Sequence, residues 1–184
     1  MKVKIFGRLS FPDLFEAVQY QGQGPFNYRA SFLIDPSHPC KAQIDAAIQA
    51  VAKEKWSAKA PQVLAGIVGN NQKCCFVDGN TKAYDGYAGT WALTATRPQE
   101  KGRPLVLDQA KQALVAADGK PYAGCYVNAS VEFWAQDNSY GKAVRCTLLG
   151  VQFARDGDAF TAGAPASPDD FEALAEGATA DDLA

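Results

Sequence analysis

Apolar and polar residues alternate with a period of two over residues 2–11. Val3, Ile5, Leu9 and Phe11 fall on one face; Lys2, Lys4, Phe6, Arg8 and Ser10 fall on the other. That pattern predicts a strand with one face on a core. Residues 21–27 (Gln-Gly-Gln-Gly-Pro-Phe-Asn) read as a loop, and Tyr28 to Asp35 as a second strand. The Pro36-Ser37-His38-Pro39 turn then opens a helix through about Lys59. In it Ile44, Ile48, Val51, Ala52 and Trp56 recur at three- and four-residue spacing, one apolar stripe for docking on a sheet. Strands follow at Gln72–Asp78, Thr90–Arg97 and Leu105–Asp108, with loops at 78–89 and 98–104. Trp91 alternates with Leu93 and Ala95 and is assigned to the core. The clearest hairpin pairs Cys125–Ala135 with Lys142–Ala154 through the 136–141 turn.

Many short strands and one substantial helix predict a mainly β domain over residues 1–160. The expected form is an oligonucleotide-binding-type small barrel with a packed helix. Residues 161–184 differ sharply. They hold six carboxylates (Asp169, Asp170, Glu172, Glu176, Asp181, Asp182) and no lysine or arginine. The chain has 18 basic and 20 acidic side chains, a net charge of -2; without residues 161–184 the balance is 18 to 14, or +4. A basic body with an acidic flexible tail predicts a surface for a polyanion that the tail itself can visit. Ser167-Pro168-Asp169-Asp170 has the form of a helix start, with Phe171 and Leu174 on one side of the turn.

The 184 residues, 47% hydrophobic, suffice for one core without staples, and no apolar run approaches a membrane span. The start of the sequence lacks the apolar region of a signal peptide, so a cytoplasmic protein is expected. Five cysteines (Cys40, Cys74, Cys75, Cys125, Cys146) show no C-x-x-C spacing and are expected as reduced core residues. The one histidine, His38, lies in a turn and excludes a His-based triad relay or a multi-histidine metal centre. No phosphate-cradling glycine loop, nucleophile elbow or H-E-x-x-H motif occurs. Asp78, Asp85 and Asp118 each adjoin a glycine, as turn residues do, and with Asp108 and Glu132 they form no metal-binding pair on one strand. No enzyme, metal or cofactor is expected.

Chemistry points instead to a groove of cations and rings, the arrangement that holds single strands through phosphates and stacked bases. On the first strand Lys4, Phe6 and Arg8 share a face. In the 125–135 strand Val127, Ala129, Val131 and Phe133 are core-like, whereas Tyr126, Asn128, Ser130, Glu132 and Trp134 form a polar face with a ring near each end. The 82–87 loop adds Lys82, Tyr84 and Tyr87, and the 97–103 loop adds Arg97, Lys101 and Arg103. The same rings also suit a surface covered by the helix or by a second subunit, as in a structural or assembly protein. A metal-dependent nuclease is the remaining alternative.

Five segments occur in a telling order: Gly7-Arg8-Leu9-Ser10-Phe11-Pro12-Asp13-Leu14-Phe15, Arg29-Ala30-Ser31-Phe32-Leu33-Ile34, Arg97-Pro98, Gly124-Cys125-Tyr126-Val127-Asn128-Ala129 and Gly150-Val151-Gln152-Phe153. With the closing Asp169-Asp170-Phe171 they resemble a family of phage-encoded single-stranded DNA-binding proteins, similar to the replication proteins of podophages. The resemblance implies an oligonucleotide-binding fold, an acidic C-terminal tail, and a non-catalytic protein that coats single strands in replication, recombination and repair. From its charge, the tail is expected to compete for the groove until DNA displaces it and then to be available to replication proteins. In the podophage relatives the tail ends in an aromatic residue; this chain ends Asp181-Asp182-Leu183-Ala184.

Overall fold

The computed structural model describes residues 1–160, Phe171 and Ala173. The first two strands, β1 (Lys2–Tyr20) and β2 (Gln23–Ile34), form one long antiparallel hairpin. Its turn is Gln21-Gly22, both at positive φ (50° and 70°), the geometry that lets a two-residue turn follow the twist of its strands. Residues 23–27 therefore belong to a strand and not to the loop read from sequence. The hairpin tip is exposed on both sides, so no alternation of burial marks it.

β1 is not straight. Up to Ser10 its register with β2 is regular, Ser10 facing Ser31; beyond it Asp13 faces Arg29, so one extra residue is inserted. Phe11, at φ 46°, is that bulge and turns outward, 48% exposed, against the core position expected for it. Ser10, expected on the solvent side, is buried instead and accepts a hydrogen bond from the Tyr87 hydroxyl (3.0 Å).

Helix α1 (Pro39–Trp56) opens on His38, whose Nδ1 accepts from the Cys40 amide (3.1 Å), with Pro39 in the first turn. Its predicted stripe of Ile44, Ile48, Val51, Ala52 and Trp56 is buried. The Trp56 indole donates to Asp137 (2.8 Å) and ties the end of the helix to the barrel. A 3₁₀ turn leads into α2 (Ala60–Ile67), which buries Ala60, Leu64 and Ile67. This second helix is absent from the sequence reading because Pro61, so close to the expected end of the first, also reads as a stop signal.

The remaining strands are β3 (Phe76–Asp78), β4 (Trp91–Pro98), β5 (Leu105–Leu107), β6 (Tyr126–Asn138) and β7 (Gly141–Arg155). β3 is shorter than expected; Cys74 contributes only a single bridge to Val144. The sheet order is β3-β4-β2-β1-β6-β7-β5, and a parallel contact between Thr96 and Thr147 joins β4 to β7. β1, β2, β4, β7 and β6 thus close on themselves as a five-stranded oligonucleotide-binding barrel. Phe32, Ile34, Leu93, Val127, Val131, Phe133 and Leu148 fill it, and α1 packs on β1 and β6. All five cysteines are free; burial pushes the Cys125 thiol up to about 11. No helix among the described residues is long and apolar enough to cross a membrane.

Candidate nucleic-acid interface

Alternation along β2 and β4 decides which side chains leave the barrel. Ala30, Phe32, Leu93 and Ala95 point inward, so Asn27, Arg29, Ser31, Thr94 and Thr96 line the outside. They form the floor of a groove of about 760 Å³. One wall is the 82–87 loop with Lys82 and Tyr84; the outer part of the β1–β2 hairpin supplies Val18, Gln19 and Tyr20. The bulge delivers Phe11 to this groove, where its ring meets Tyr84 edge-on at 4.9 Å. Tyr84 is 53% exposed and Tyr20 68%, so both rings have open faces.

Arg29 is the central cation of the groove. Its guanidinium lies 5.8 Å from the Tyr20 ring, and its Nε is buried without a hydrogen-bond partner. A buried donor left unpaired costs roughly 1–3 kcal/mol, which a turn of the side chain toward an arriving acceptor would recover. Asp13 faces it across the hairpin. Burial pushes that carboxyl above the ordinary aspartate range, with the Arg29 charge pulling the other way.

A second cluster occupies the outside of β1, β6 and β7. Phe6 and Tyr126 stack at 6.0 Å with 12° between their planes, and Arg155 lies 4.4 Å from the Tyr126 ring and 5.6 Å from Phe6. Beside it, Lys4, Phe6, His38, Asn128, Ser130 and Gln152 help to line a more apolar hollow of about 850 Å³. Residues 155–160 form the ridge between the two clusters. Arg8 holds that ridge: its Nε donates to the Gly124 carbonyl (2.8 Å), Nη2 donates to the Asp158 carbonyl, and its guanidinium lies 4.3 Å from the Phe160 ring. Gly124, at φ 105°, is required here, because a Cβ would meet the Asp158 carbonyl oxygen.

The groups singled out from sequence are thus divided. Lys82 and Tyr84 line the groove, and Lys4, Phe6 and Tyr126 form the second cluster. Arg8 is a clamp that donates through Nε and Nη2 to main-chain carbonyls. Arg97 likewise donates to the carbonyls of Gly102 and Lys101 and lies on the side of β4 away from the groove, because Thr96 takes the groove position. Tyr87 is 3% exposed, packed with Leu33, Val77 and Ala92, and supports the wall without offering a free face. Trp134, 43% exposed, donates to Thr147 (3.1 Å) on the barrel wall, eight residues and roughly 26 Å along β6 from Tyr126. Lys101 is exposed in its loop, and Arg103 lies over Phe15 (5.7 Å) at the base of the hairpin.

Sequence reasoning missed Phe11, Tyr20, Arg29, Arg155 and Phe160 as site residues. The bulge that exposes Phe11 leaves no pattern of its own, and Arg29 sits in a run that reads as ordinary strand. In the tail Phe171 is exposed; Asp169, Asp170, Glu172, Glu176, Asp181, Asp182 and the expected helical turn lie outside the described residues. Asp78 and Asp118 accept from the amides of Asn80 and Val115, as turn residues do.

Similar proteins point the same way. Protein p50 of Acyrthosiphon pisum secondary endosymbiont phage 1 is 49% identical over 177 residues, 95% of this chain and 94% of that protein. The single-stranded DNA-binding protein from bacteriophage Enc34, solved in complex with single-stranded DNA, superposes with a TM-score of 0.71 at 23% identity, over 86% of this chain and 89% of that one. A single-stranded DNA-binding protein encoded by bacteriophage T7 shares the fold at a TM-score of 0.56 and 14% identity, over 90% of this chain and 98% of that one. The family described as the ssDNA-binding protein of Enterobacter phage Enc34 matches residues 1–184, and the chain belongs to that family.

Proposed function

We propose that this protein binds and protects single-stranded DNA with little dependence on sequence, as a non-catalytic coat in phage DNA replication, recombination and repair within the host cytoplasm. The observation that carries this reading is Arg29: a buried guanidinium nitrogen without a partner, in a groove walled by open aromatic faces. Arg29 and Lys82 neutralise phosphates there, while Tyr84, Phe11 and Tyr20 stack on bases. Lys4 and the Phe6–Tyr126 stack take up the strand beyond the ridge, and Lys101 and Arg103 add to the positive field.

The acidic tail acts on the same groove. It leaves the barrel at Phe160, which packs beside Gly86 in the loop that walls the groove. Asp169, Asp170, Glu172, Glu176, Asp181 and Asp182 compete with DNA at an effective concentration of about millimolar. DNA displaces them, and the segment around Phe171 becomes available to replication proteins.

Titration of oligo-dT with sodium chloride tests both statements. Each phosphate contact contributes about -0.7 to the log–log slope, so roughly four to six contacts give a slope of about -3 to -4. A flat dependence would remove the phosphate groove, and absence of binding would favour an assembly role for the aromatic surfaces. Truncation after Phe160 changes the net charge from -2 to +4 and tightens binding most at low salt, since the tail contact is itself screened. Equal affinities at low salt would leave the tail no role at the groove.

A further inference from the structure

Among the described residues that line the groove, Asp13 is the one carboxylate, and a groove for phosphates gains nothing from a bare negative charge. Its position is the product of the bulge. Continued without the extra residue, the register of Arg8 to Ser10 would set Pro12 opposite Arg29; the insertion sets Asp13 there instead. No ion pair joins Asp13 to Arg29; the two face each other across the hairpin without closing on one another. The carboxylate is half-buried, beside Phe11 and within the cleft that holds Tyr20 and Tyr84. A base stacked on those rings brings its polar edge to an acceptor and a donor already in place. The other polar side chains of the floor, Asn27, Ser31, Thr94 and Thr96, donate or accept as required and discriminate little.

We infer that Asp13, paired with Arg29, gives the groove a preference for bases that carry an exocyclic amine, cytosine in particular, over thymine. The inference rests on the single-strand reading above and adds a base preference to it. Cytosine offers its N4 amine to the carboxylate, while its ring nitrogen and carbonyl accept from the guanidinium N–H groups that a phosphate leaves free. Thymine presents carbonyl oxygens on both sides of its one N–H, so lone pairs meet the carboxylate. Carboxylate acceptance from the cytosine amine is an established pairing in base readout.

The experiment compares oligo-dC, oligo-dT and oligo-dU of equal length at pH 8, where cytosine is unprotonated and oligo-dC is single-stranded. All three are pyrimidines, so stacking area differs little, and oligo-dU removes the thymine methyl as a cause. The expected result is about tenfold tighter binding of oligo-dC than of either other strand. Asp13→Asn keeps the shape but presents both a donor and an acceptor, and should bring the three affinities together, chiefly by improving oligo-dT and oligo-dU. Asp13→Ser, shorter and uncharged, should do the same. Equal binding of oligo-dC and oligo-dU by the unaltered protein overturns the inference and leaves the single-strand reading standing. A preference that survives both substitutions overturns the assignment to Asp13. Failure to bind any of the three strands overturns the single-strand reading itself.

Discussion

The groove over β2 and β4 and the stack over β6 and β7 contain similar residues and differ in what those residues are already doing. In the stack Phe6 and Tyr126 lie nearly parallel with centroids 6.0 Å apart, and Arg155 lies across both. On the ridge beside it, Arg8 has its donors on the carbonyls of Gly124 and Asp158. In the groove Tyr84 and Tyr20 keep open faces, and Arg29 keeps an unpaired donor. Charge and aromatic content are therefore poor guides to affinity for a strand. A cation tied to main-chain carbonyls is held in place and offers a strand fewer donors, leaving mainly its field, which salt screens within about 10 Å; one that lacks a partner has more to gain when a phosphate arrives.

The largest test of that difference exchanges arginines between the regions. Arg29→Met keeps the aliphatic stem and removes the unpaired donor, so oligo-dT affinity should drop by about tenfold to a hundredfold, the worth of a hydrogen bond to a charged group. Its thermal stability should hold or rise slightly, because a buried unsatisfied group is gone. Arg8→Met should show the reverse. Two main-chain carbonyls lose their donor and Phe160 loses its covering charge, so the protein should lose about 1–3 kcal/mol of stability and little affinity. Thermal unfolding and fluorescence anisotropy on the same two variants read both quantities. If both lose affinity alike, the ridge is part of the DNA path and the two regions are one site.

How far the sequence foretold this division follows from which signals are local. Burial alternation is local, and it placed Val127, Ala129, Val131 and Phe133 inside the barrel and the α1 stripe on its surface, as the structure has them. It failed where the chain departs from regularity. The single extra residue at Phe11 reverses the facing of everything after it, and nothing in the residues Ser10-Phe11-Pro12 states in which direction the strand resumes. Commitment of donors is non-local: Arg8 is answered by residues 116 and 150 positions away. No reading of Lys4-Ile5-Phe6-Gly7-Arg8 distinguishes such an arginine from a free one. The carbonyls that hold Arg97 are close by in sequence, yet they depend on the shape of the 99–102 turn. The groove rings were legible as types and not as positions; Tyr84 and Tyr87 are three residues apart, one open and one buried.

Rings give a smaller effect and sharpen the same comparison. Tyr84→Ala should weaken oligo-dT binding by roughly 1–3 kcal/mol, as expected for one stacked base. Tyr126→Ala should cost less, because one face of the Tyr126 ring is held by Phe6 and the other cation–ring contacts come from within the protein. Trp134→Ala should cost less than Tyr84→Ala, since its indole is tied to Thr147, the β4–β7 partner of the groove residue Thr96, at the edge of the groove. Oligonucleotides of increasing length refine the ordering. Strands just long enough for the groove should ignore Tyr126, and longer ones that cross the ridge should feel it. Equal losses from Tyr84 and Tyr126 at every length would contradict the ordering.

The smallest effect concerns the acid of the groove and is read without DNA. Burial raises the Asp13 carboxyl above its unfolded range, the Arg29 charge opposing the shift only in part. A carboxyl raised on folding binds its proton more tightly in the native state. Native protein therefore holds more protons than unfolded protein between the unfolded value and the folded one, and stability falls as pH rises through that window. Above it the loss is constant. Asp13→Asn removes the charge that burial disfavours, so the variant should match the unaltered protein in acid and unfold at a slightly higher temperature at neutral pH. The gap should open as pH rises just above the ordinary aspartate range. Thermal unfolding at closely spaced pH values measures it. A variant less stable than the unaltered protein at neutral pH would mean that attraction to Arg29 outweighs burial, and that the two groups form a closed pair instead of an open one facing the groove.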